Sequence, residues 1–368
     1  MTEDNNRYII DKIHSKALEN NPLNSPADRD INIYLPPGYH TDKDIRYPVI
    51  YYLHGYSGNN WSWTVTSEKS KDQAFDFKVA PPKILEKLDI DRLLTFEVLD
   101  DLIQSEEVKP LIFVQPDGSL LVPNIHKRKD LRGKVTTKGS FFVNSPYTGN
   151  YMDYIMNDII NYIDSNYRTI ADRDHRILMG GSMGGYGALY LTLLHPDKFY
   201  AVSALSPANL NLKDNMNFTL RIPIYTELFG EKMSSQIGDF AWDDIVDTTD
   251  LICSNDNRLI PTIKADEEGR IIDFNKDAKN NWDNYNLLNL IDQFPDSLRK
   301  VHLQINCEKT DEFGLTSVSI NLHEKLVELN IDHEYEIYSD PKAALTPHIL
   351  GIAYHILPGI KFCLQYLS

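Results

Sequence analysis

Arg176-Ile-Leu-Met-Gly-Gly-Ser-Met-Gly-Gly-Tyr-Gly-Ala-Leu189 decides the reading of this chain. It begins as a short apolar run, Ile177 to Met179, sets Gly180, Gly181, Gly184 and Gly185 around one serine, and continues from Tyr186 to Leu191 as a helix. Gly180-Gly181-Ser182-Met183-Gly184 fits G-x-S-x-G, the pattern of a serine carried on a sharp strand-to-helix turn. Such a turn strains the serine backbone, and neighbouring backbone leaves no room for Cβ atoms at the flanking positions. The helix that starts beneath the serine brings free N–H groups, and the positive end of its dipole, to the place where an oxyanion would develop. The same letters also describe an ordinary glycine-rich turn; a strand before and a helix after are what favour the chemical reading.

Outward from this stretch the chain alternates strands and helices. Pro48-Val-Ile-Tyr-Tyr-Leu-His54 is a continuous apolar run, as a parallel strand buried on both faces requires. The rhythm recurs at Pro110 to Gly118, Phe199 to Pro207 and Val301 to Cys307, and His333 to Tyr338 alternates as the last strand. Upstream, Ile31, Ile33 and Leu35 alternate before the Pro36-Pro37-Gly38 turn, and Arg7 to His14 fits an N-terminal strand or arm. Helices are expected at 83–104, at Asn150 to Tyr167, at Ser317 to Leu329 with Ile320, Leu322, His323, Leu326, Val327 and Leu329 facing inward, and at 349–367 with a bend at Pro358. This alternation predicts an α/β architecture, a mostly parallel central sheet flanked by helices.

The rhythm lapses over residues 208–299, which hold Trp242, Trp282 and many Asn and Asp. The expected division is a core of 1–207 and 300–368 with a largely helical cap-like insertion, 208–299, over the site; helices fit 222–230, 239–253 and 283–293. A peripheral, purely structural addition is the alternative. No second chemical constellation falls inside it.

Composition narrows the partners. The chain has 368 residues, 42% of them apolar and 24% charged, with a net charge of -16. That balance argues against nucleic acid, because no basic excess is available for phosphates. No run approaches the length of a membrane span, so no membrane partner is expected. The first residues carry no secretory signal, which favours a cytoplasmic location and leaves secretion of a processed form open. Cys253, Cys307 and Cys363 have no metal-ligand spacing and read as buried free thiols. A homodimer is left open.

A serine hydroxyl needs a base in contact, and the base needs an orienting acid. In serine enzymes built on this turn the order is Ser, then Asp or Glu, then His. Asp311, just past the strand ending at Cys307, fits the acid; His348, in the loop after the last strand, fits the base. Glu308, Glu312 and Asp340 remain rival acids. Among the other histidines, His355 lies within the final helix, His195 ends the helix after Ser182, His333 opens a strand, and His54 could hold its loop in shape. An oxyanion would be met by the Met183 N–H and by a second donor in His54-Gly55-Tyr56-Ser57-Gly58, Tyr56 or Gly55. Trp61, Trp63 and Phe142 offer an aromatic substrate pocket. The loop 119–149, basic between His126 and Lys138, is a solvated surface or a rim for an anionic substrate.

Tyr34-Leu-Pro-Pro-Gly-Tyr39, Leu53-His-Gly-Tyr-Ser-Gly58, Gln115-Pro-Asp-Gly118, Tyr167-Arg-Thr169, Gly180-Gly-Ser-Met-Gly-Gly-Tyr-Gly-Ala188 and His195-Pro-Asp197 together resemble the putative-esterase family of α/β hydrolases. That group includes esterase D (S-formylglutathione hydrolase), feruloyl esterases and the mycolyltransferases. The likeness runs over about 30–207 and 301–367. It departs from the family at Gly181, where His is usual, and around His348, where the family's Gly-Gly-His-x-Trp signature is degraded. The resemblance implies an α/β-hydrolase fold and a serine esterase with Ser182, Asp311 and His348 as its triad, needing no metal or organic cofactor. The expected substrate is a small-molecule or carbohydrate-linked ester; the aromatic residues Tyr56, Trp61, Trp63 and Phe142 favour a hydroxycinnamoyl (feruloyl-type) or other bulky acyl group, which the resemblance permits without selecting it. The alternatives are an acyltransferase or sugar-acetyl esterase using the same triad, and a non-catalytic binding protein on a hydrolase scaffold.

Overall fold

The apolar runs pair side by side. A computed structural model describes residues 7–56, 58–62, 64–65, 89, 92–120, 139–211, 248–253, 263–265, 271–274, 276–344 and 346–367. In chain order its strands are β1 (Tyr8–His14), β2 (Asp28–Tyr34), β3 (Val49–Leu53), β4 (Thr64–Val65), β5 (Leu94–Thr95), β6 (Ile112–Pro116), β7 (Asn144–Ser145), β8 (Gly149–Asn150), β9 (Arg176–Gly181), β10 (Ala201–Leu205), β11 (Ile263–Ala265), β12 (Ile271–Phe274), β13 (His302–Glu308) and β14 (Glu334–Tyr338). One 8-stranded sheet runs in the order β1-β2-β6-β3-β9-β10-β13-β14. β1 and β2 are antiparallel, as are β2 and β6; from β6 to β14 every neighbour is parallel. Open parallel sheets gather ligands beyond the carboxyl ends of their strands. In this chain that rim carries the loops after β3, β6, β9, β10, β13 and β14.

The two faces of β3 show how the layers form. Val49, Tyr51 and Leu53 point into one core with Ile155 and Ile159, Tyr186 and Leu189, Leu290, and Leu322 and Leu326. Ile50 and Tyr52 point into a second core with Leu99, Ile103, Ile352, Ile356 and Ile360. The first face is covered by the helical stretch 151–166, the elbow helix Met183–Leu194, the helix Leu287–Gln293 and the helix Leu315–Glu328. The second is covered by Phe96–Gln104 and the C-terminal helix Pro347–Leu364. Thr95 starts Phe96–Gln104 by accepting the Val98 N–H at 3.0 Å, a normal N-cap. Of the helix expected at 83–104, residue 89 and residues 92–104 are described; 222–230 lies outside the described residues. No described helix is long and apolar enough to cross a membrane.

Three expectations need correction. Leu315–Glu328 keeps the expected Leu322 and Leu326 buried, but its inner stripe continues through Leu315 and Val318, while Ile320 and Val327 are exposed. His348 is not in a loop; it is the second residue of the C-terminal helix, which starts at Pro347 and continues through Pro358. The helix expected at 83–104 begins only at Phe96, because Leu94–Thr95 before it is strand β5; the largely helical insertion also holds the antiparallel pair β11–β12.

Residues 276–298 are also continuous with the main core. Trp282, Leu287, Ile291 and Leu298 are buried in it. Tyr186 Oη donates to the Tyr285 carbonyl at 2.7 Å, and Asn209 Oδ1 accepts the Leu287 N–H at 2.9 Å. No break in packing falls at residue 299.

The elbow is the tightest crossing in the sheet. A Cβ on Gly184 would lie 1.9 Å from the Leu53 carbonyl oxygen, and one on Gly180 would lie 2.3 Å from the Gly184 carbonyl oxygen. Helix and strand therefore meet backbone to backbone. Gly184→Ala is expected to destabilise the fold by about 3 kcal/mol, the upper range for overpacking, read as a lowered urea midpoint. An unchanged midpoint would show that the crossing can widen freely.

Candidate active site

Ser182 sits between β9 and the elbow helix with φ 57° and ψ -117°. A non-glycine residue there costs about 1–3 kcal/mol and persists only where surroundings fix it. They do: the Ser182 N–H donates to the Leu205 carbonyl at 2.9 Å, and the Ser182 carbonyl accepts from Tyr186 N and Ala208 N, both at 3.0 Å. The hydroxyl makes no capping bond to its own helix. The Met183 N–H opens that helix, where the first turn's donors lack intrahelical partners.

Asp311 and His348 come together, as their positions after β13 and β14 predicted. His348 Nδ1 donates to Asp311 Oδ2 at 2.6 Å, with both side chains buried. Asp311 Oδ1 accepts the Phe313 N–H at 3.0 Å and the Leu315 N–H at 3.2 Å, which fixes the carboxylate before it meets the ring. The Phe313 ring stands edge-on to the imidazole at 4.7 Å. Among the described residues no hydrogen bond joins Ser182 Oγ to His348 Nε2.

The rival acids have other roles. Glu312 accepts the His348 backbone N–H at 2.5 Å, so it caps the first turn of the C-terminal helix that Thr346 leaves uncapped. Glu308 accepts from Thr310 Oγ1 at 2.7 Å and from Asp340 N at 3.3 Å. Asp340 pairs with Arg92 at 2.6 Å. His355 bonds the Gly351 carbonyl and stacks on Tyr338, a packing role.

His54 holds the loop after β3. Its Nδ1 bonds the Gly55 carbonyl at 2.8 Å and its Nε2 accepts the Gly118 N–H at 2.9 Å, which assigns the proton to Nδ1. Tyr56 is brought beside the elbow: a Cβ on Gly139 would lie 2.4 Å from Met183 Sδ and 2.7 Å from Tyr56 Cδ2. The Tyr56 hydroxyl reaches Thr248 Oγ1 at 3.0 Å, so the insertion returns onto this loop.

The aromatic pocket is only partly assembled. Phe142 is fully buried, stands edge-on to His54 and lies against Gly118 and Gly187, which makes it a core side chain rather than a pocket wall. Trp61 packs on Tyr8 of β1, the edge strand. Trp63 and the basic stretch His126 to Lys138 lie outside the described residues. Beside Phe142, the Phe141 N–H donates to Met183 Sδ at 3.4 Å, which ties this loop to the elbow. Phe141 and Phe142 both have positive φ, 52° and 55°, and nothing in two adjacent phenylalanines signals it.

With this geometry in place, the comparisons define the class. The fold is that of the α/β-hydrolase esterases: a solved ferulic acid esterase matches with a TM-score of 0.58 at 19% identity, covering 98% of each chain. An S-formylglutathione hydrolase from Agrobacterium tumefaciens matches with 0.53 at 15%, covering 98% of this chain and 95% of that one. The chain belongs to the family described as "Putative esterase", whose model matches residues 24–259. It is 28% identical over 171 residues to an endo-1,4-beta-xylanase/feruloyl esterase of Xylanibacter ruminicola, 46% of this chain and 18% of that protein. It is 34% identical over 102 residues to the S-formylglutathione hydrolase of Rattus norvegicus, 26% of this chain and 35% of that one. The matches therefore span well under half of these relatives' lengths.

Electrostatics favour a charged His348. Burial lowers its pKa, but the Asp311 charge and hydrogen bond, with the Glu312 charge, outweigh it and raise the pKa above 6.5. The imidazolium should thus persist above pH 6.5. NMR titration of the ring should give a midpoint above that of a free histidine. In Glu312→Gln, which keeps an acceptor and removes the charge, the midpoint should move down. An identical midpoint in the variant would rule out the Glu312 contribution.

Proposed function

We propose that this chain is a serine carboxylic ester hydrolase that works through an acyl-enzyme on Ser182. One observation carries the reading: a buried imidazole at the start of the C-terminal helix, His348, bonded at 2.6 Å to the backbone-held carboxylate of Asp311, past the same ends of the strands as a strained serine on a helix N-terminus. Membership of the esterase family adds to it.

In this reading Ser182 Oγ attacks the ester carbonyl carbon while its proton passes to His348 Nε2. Asp311 accepts from Nδ1 throughout, orienting the ring and stabilising its charged form. The Met183 N–H and a second N–H from the Gly55–Tyr56 loop meet the oxyanion. Losing one such donor typically costs about 3 kcal/mol of transition-state stabilisation. The tetrahedral intermediate collapses, the alcohol oxygen takes the proton from His348, and the acyl group stays on Ser182. Water then gives a proton to His348 and attacks the acyl carbon, and Ser182 leaves with that proton.

For the substrate we propose a bulky aromatic acyl ester of the hydroxycinnamoyl type. The xylanase/feruloyl esterase relative supports this class. So does Tyr56, half-buried beside Met183, which offers an aromatic wall. We assign the described part of the insertion that meets Tyr56, residues 248–253, to the edge of the access route.

Ser182→Ala should lower ester turnover by at least about 10⁴-fold with an unchanged thermal midpoint, and a fluorophosphonate should label Ser182 in the parent chain only. Near-parental turnover in the variant would overturn the nucleophile. A methyl hydroxycinnamate should give a higher kcat/KM than the matching acetate; the reverse order would overturn the acyl assignment alone.

A further inference from the structure

Gly181 has no conformational need to be glycine. Its backbone lies outside the left-handed region that Gly38, Gly149 and Gly314 occupy. What excludes a side chain is contact. A Cβ would lie 2.6 Å from Ile352 Cγ2, 3.2 Å from Tyr52 Oη and 3.4 Å from Ile352 Cδ1. Ile352 is fully buried and β-branched, so Cγ2 sits on a stiff χ1 and cannot swing aside.

The two partners flank the reacting groups. Gly181 immediately precedes Ser182. Ile352 follows His348 by one helical turn, and residues four apart share a helix face. The C-terminal helix is also seated closely elsewhere: a Cβ on Gly351 would lie 2.9 Å from Tyr338 Oη, and one on Gly359 would lie 2.8 Å from Met179 Cε and 2.9 Å from Ser203 Oγ. Asp311 fixes the orientation of the imidazole, and Glu312 fixes the end of its helix. Neither limits how far that helix stands from β9.

We propose that the contact of Ile352 with the bare backbone of Gly181 is a positioning contact that sets the distance between Ser182 Oγ and His348 Nε2. It rests on the reading of Ser182 as nucleophile and His348 as base. A methyl group at 181 lifts the helix, and the imidazole with it, from the serine. A displacement of about 1 Å in such an arrangement can cost about 10²-fold in rate.

The test is a double-mutant cycle on the full chain with 4-nitrophenyl acetate. Gly181→Ala should lower kcat by about 10²-fold with little change in KM. Ile352→Leu conserves volume but moves the branch away from Cβ, removing Cγ2. In the Gly181→Ala background it should restore kcat by about tenfold or more, a coupling that independent sites do not show. A loss that arises away from this contact would not be rescued by Ile352→Leu.

Gly181→Ala with parental kcat overturns the proposal, as does a double variant no faster than Gly181→Ala. If Gly181→Ala alone does not fold, a folded and active double variant supports the pairing, and failure of both overturns it. Ser182→Ala separates the two levels. If that variant keeps turnover, the site reading itself has failed. If it is inactive while Gly181→Ala is fully active, only the positioning contact has.

Discussion

Backbone meets backbone where the elbow helix crosses the end of β3, and most of the site's geometry follows from that approach. With no Cβ at Gly184, the first helical turn rests on the Leu53 carbonyl. Leu53 is the last residue of β3, so His54, Gly55 and Tyr56 necessarily begin beside Met183. Two segments far apart in sequence are thus brought side by side. Strain at Ser182 is the local cost of this crossing. Neighbouring strands hold it, through the Leu205 carbonyl on one side and Ala208 and Tyr186 on the other. The serine is displayed because the sheet cannot relax around it.

The same rim holds two buried histidines whose pKa values are moved in opposite directions. His54 has its pKa lowered, chiefly by burial, with Arg29 adding to the fall and Asp117 and the Gly55 carbonyl opposing it. Its partners are backbone groups, one accepting and one donating, which only the neutral ring can satisfy. His348 is as deeply buried, but its Nδ1 faces a carboxylate directly and a second acid stands at its backbone N–H. Burial lowers both; what separates them is the partner, since only His348 faces carboxylates that outweigh its burial. The outcome suits a fixed loop pin in one case and a proton acceptor that becomes an imidazolium in the other.

Much of this was legible in the sequence because parallel strands buried on both faces read as unbroken apolar runs. β3, β6, β9, β10 and β13 all announced themselves in that way, and their order along the chain located Asp311 and His348. Amphipathic phase was harder. In Leu315–Glu328 apolar residues occur on both faces, and only packing shows that Ile320 and Val327 are left outside. The boundary at His348 was missed because Thr346-Pro347 reads as loop, whereas Pro at the first helical position has no N–H to lose. Phe142 was read as a pocket wall from its aromatic character; its positive φ, invisible in the letters, turns it inward under Gly118 and Gly187.

The insertion between β10 and β13 is tied to the site at both of its described ends. Near its middle, Tyr56 meets Thr248, Ser145 Oγ donates to the Leu251 carbonyl at 3.2 Å, and Trp282 Nε1 donates to Asp250 at 2.9 Å. At its far end, Tyr285 takes the Tyr186 hydroxyl from the elbow helix. Thr248 meets the loop after β3 and Tyr285 meets the elbow helix, while Trp282 and Asp250 join two described parts of the insertion to each other. In the proposed reading, a shift of these described residues would be felt at the groups that meet the reacting carbonyl, which would join access to transition-state binding. The alternation of sheet strands could not reveal that, because the coupling runs through single side chains drawn from segments with no periodic pattern.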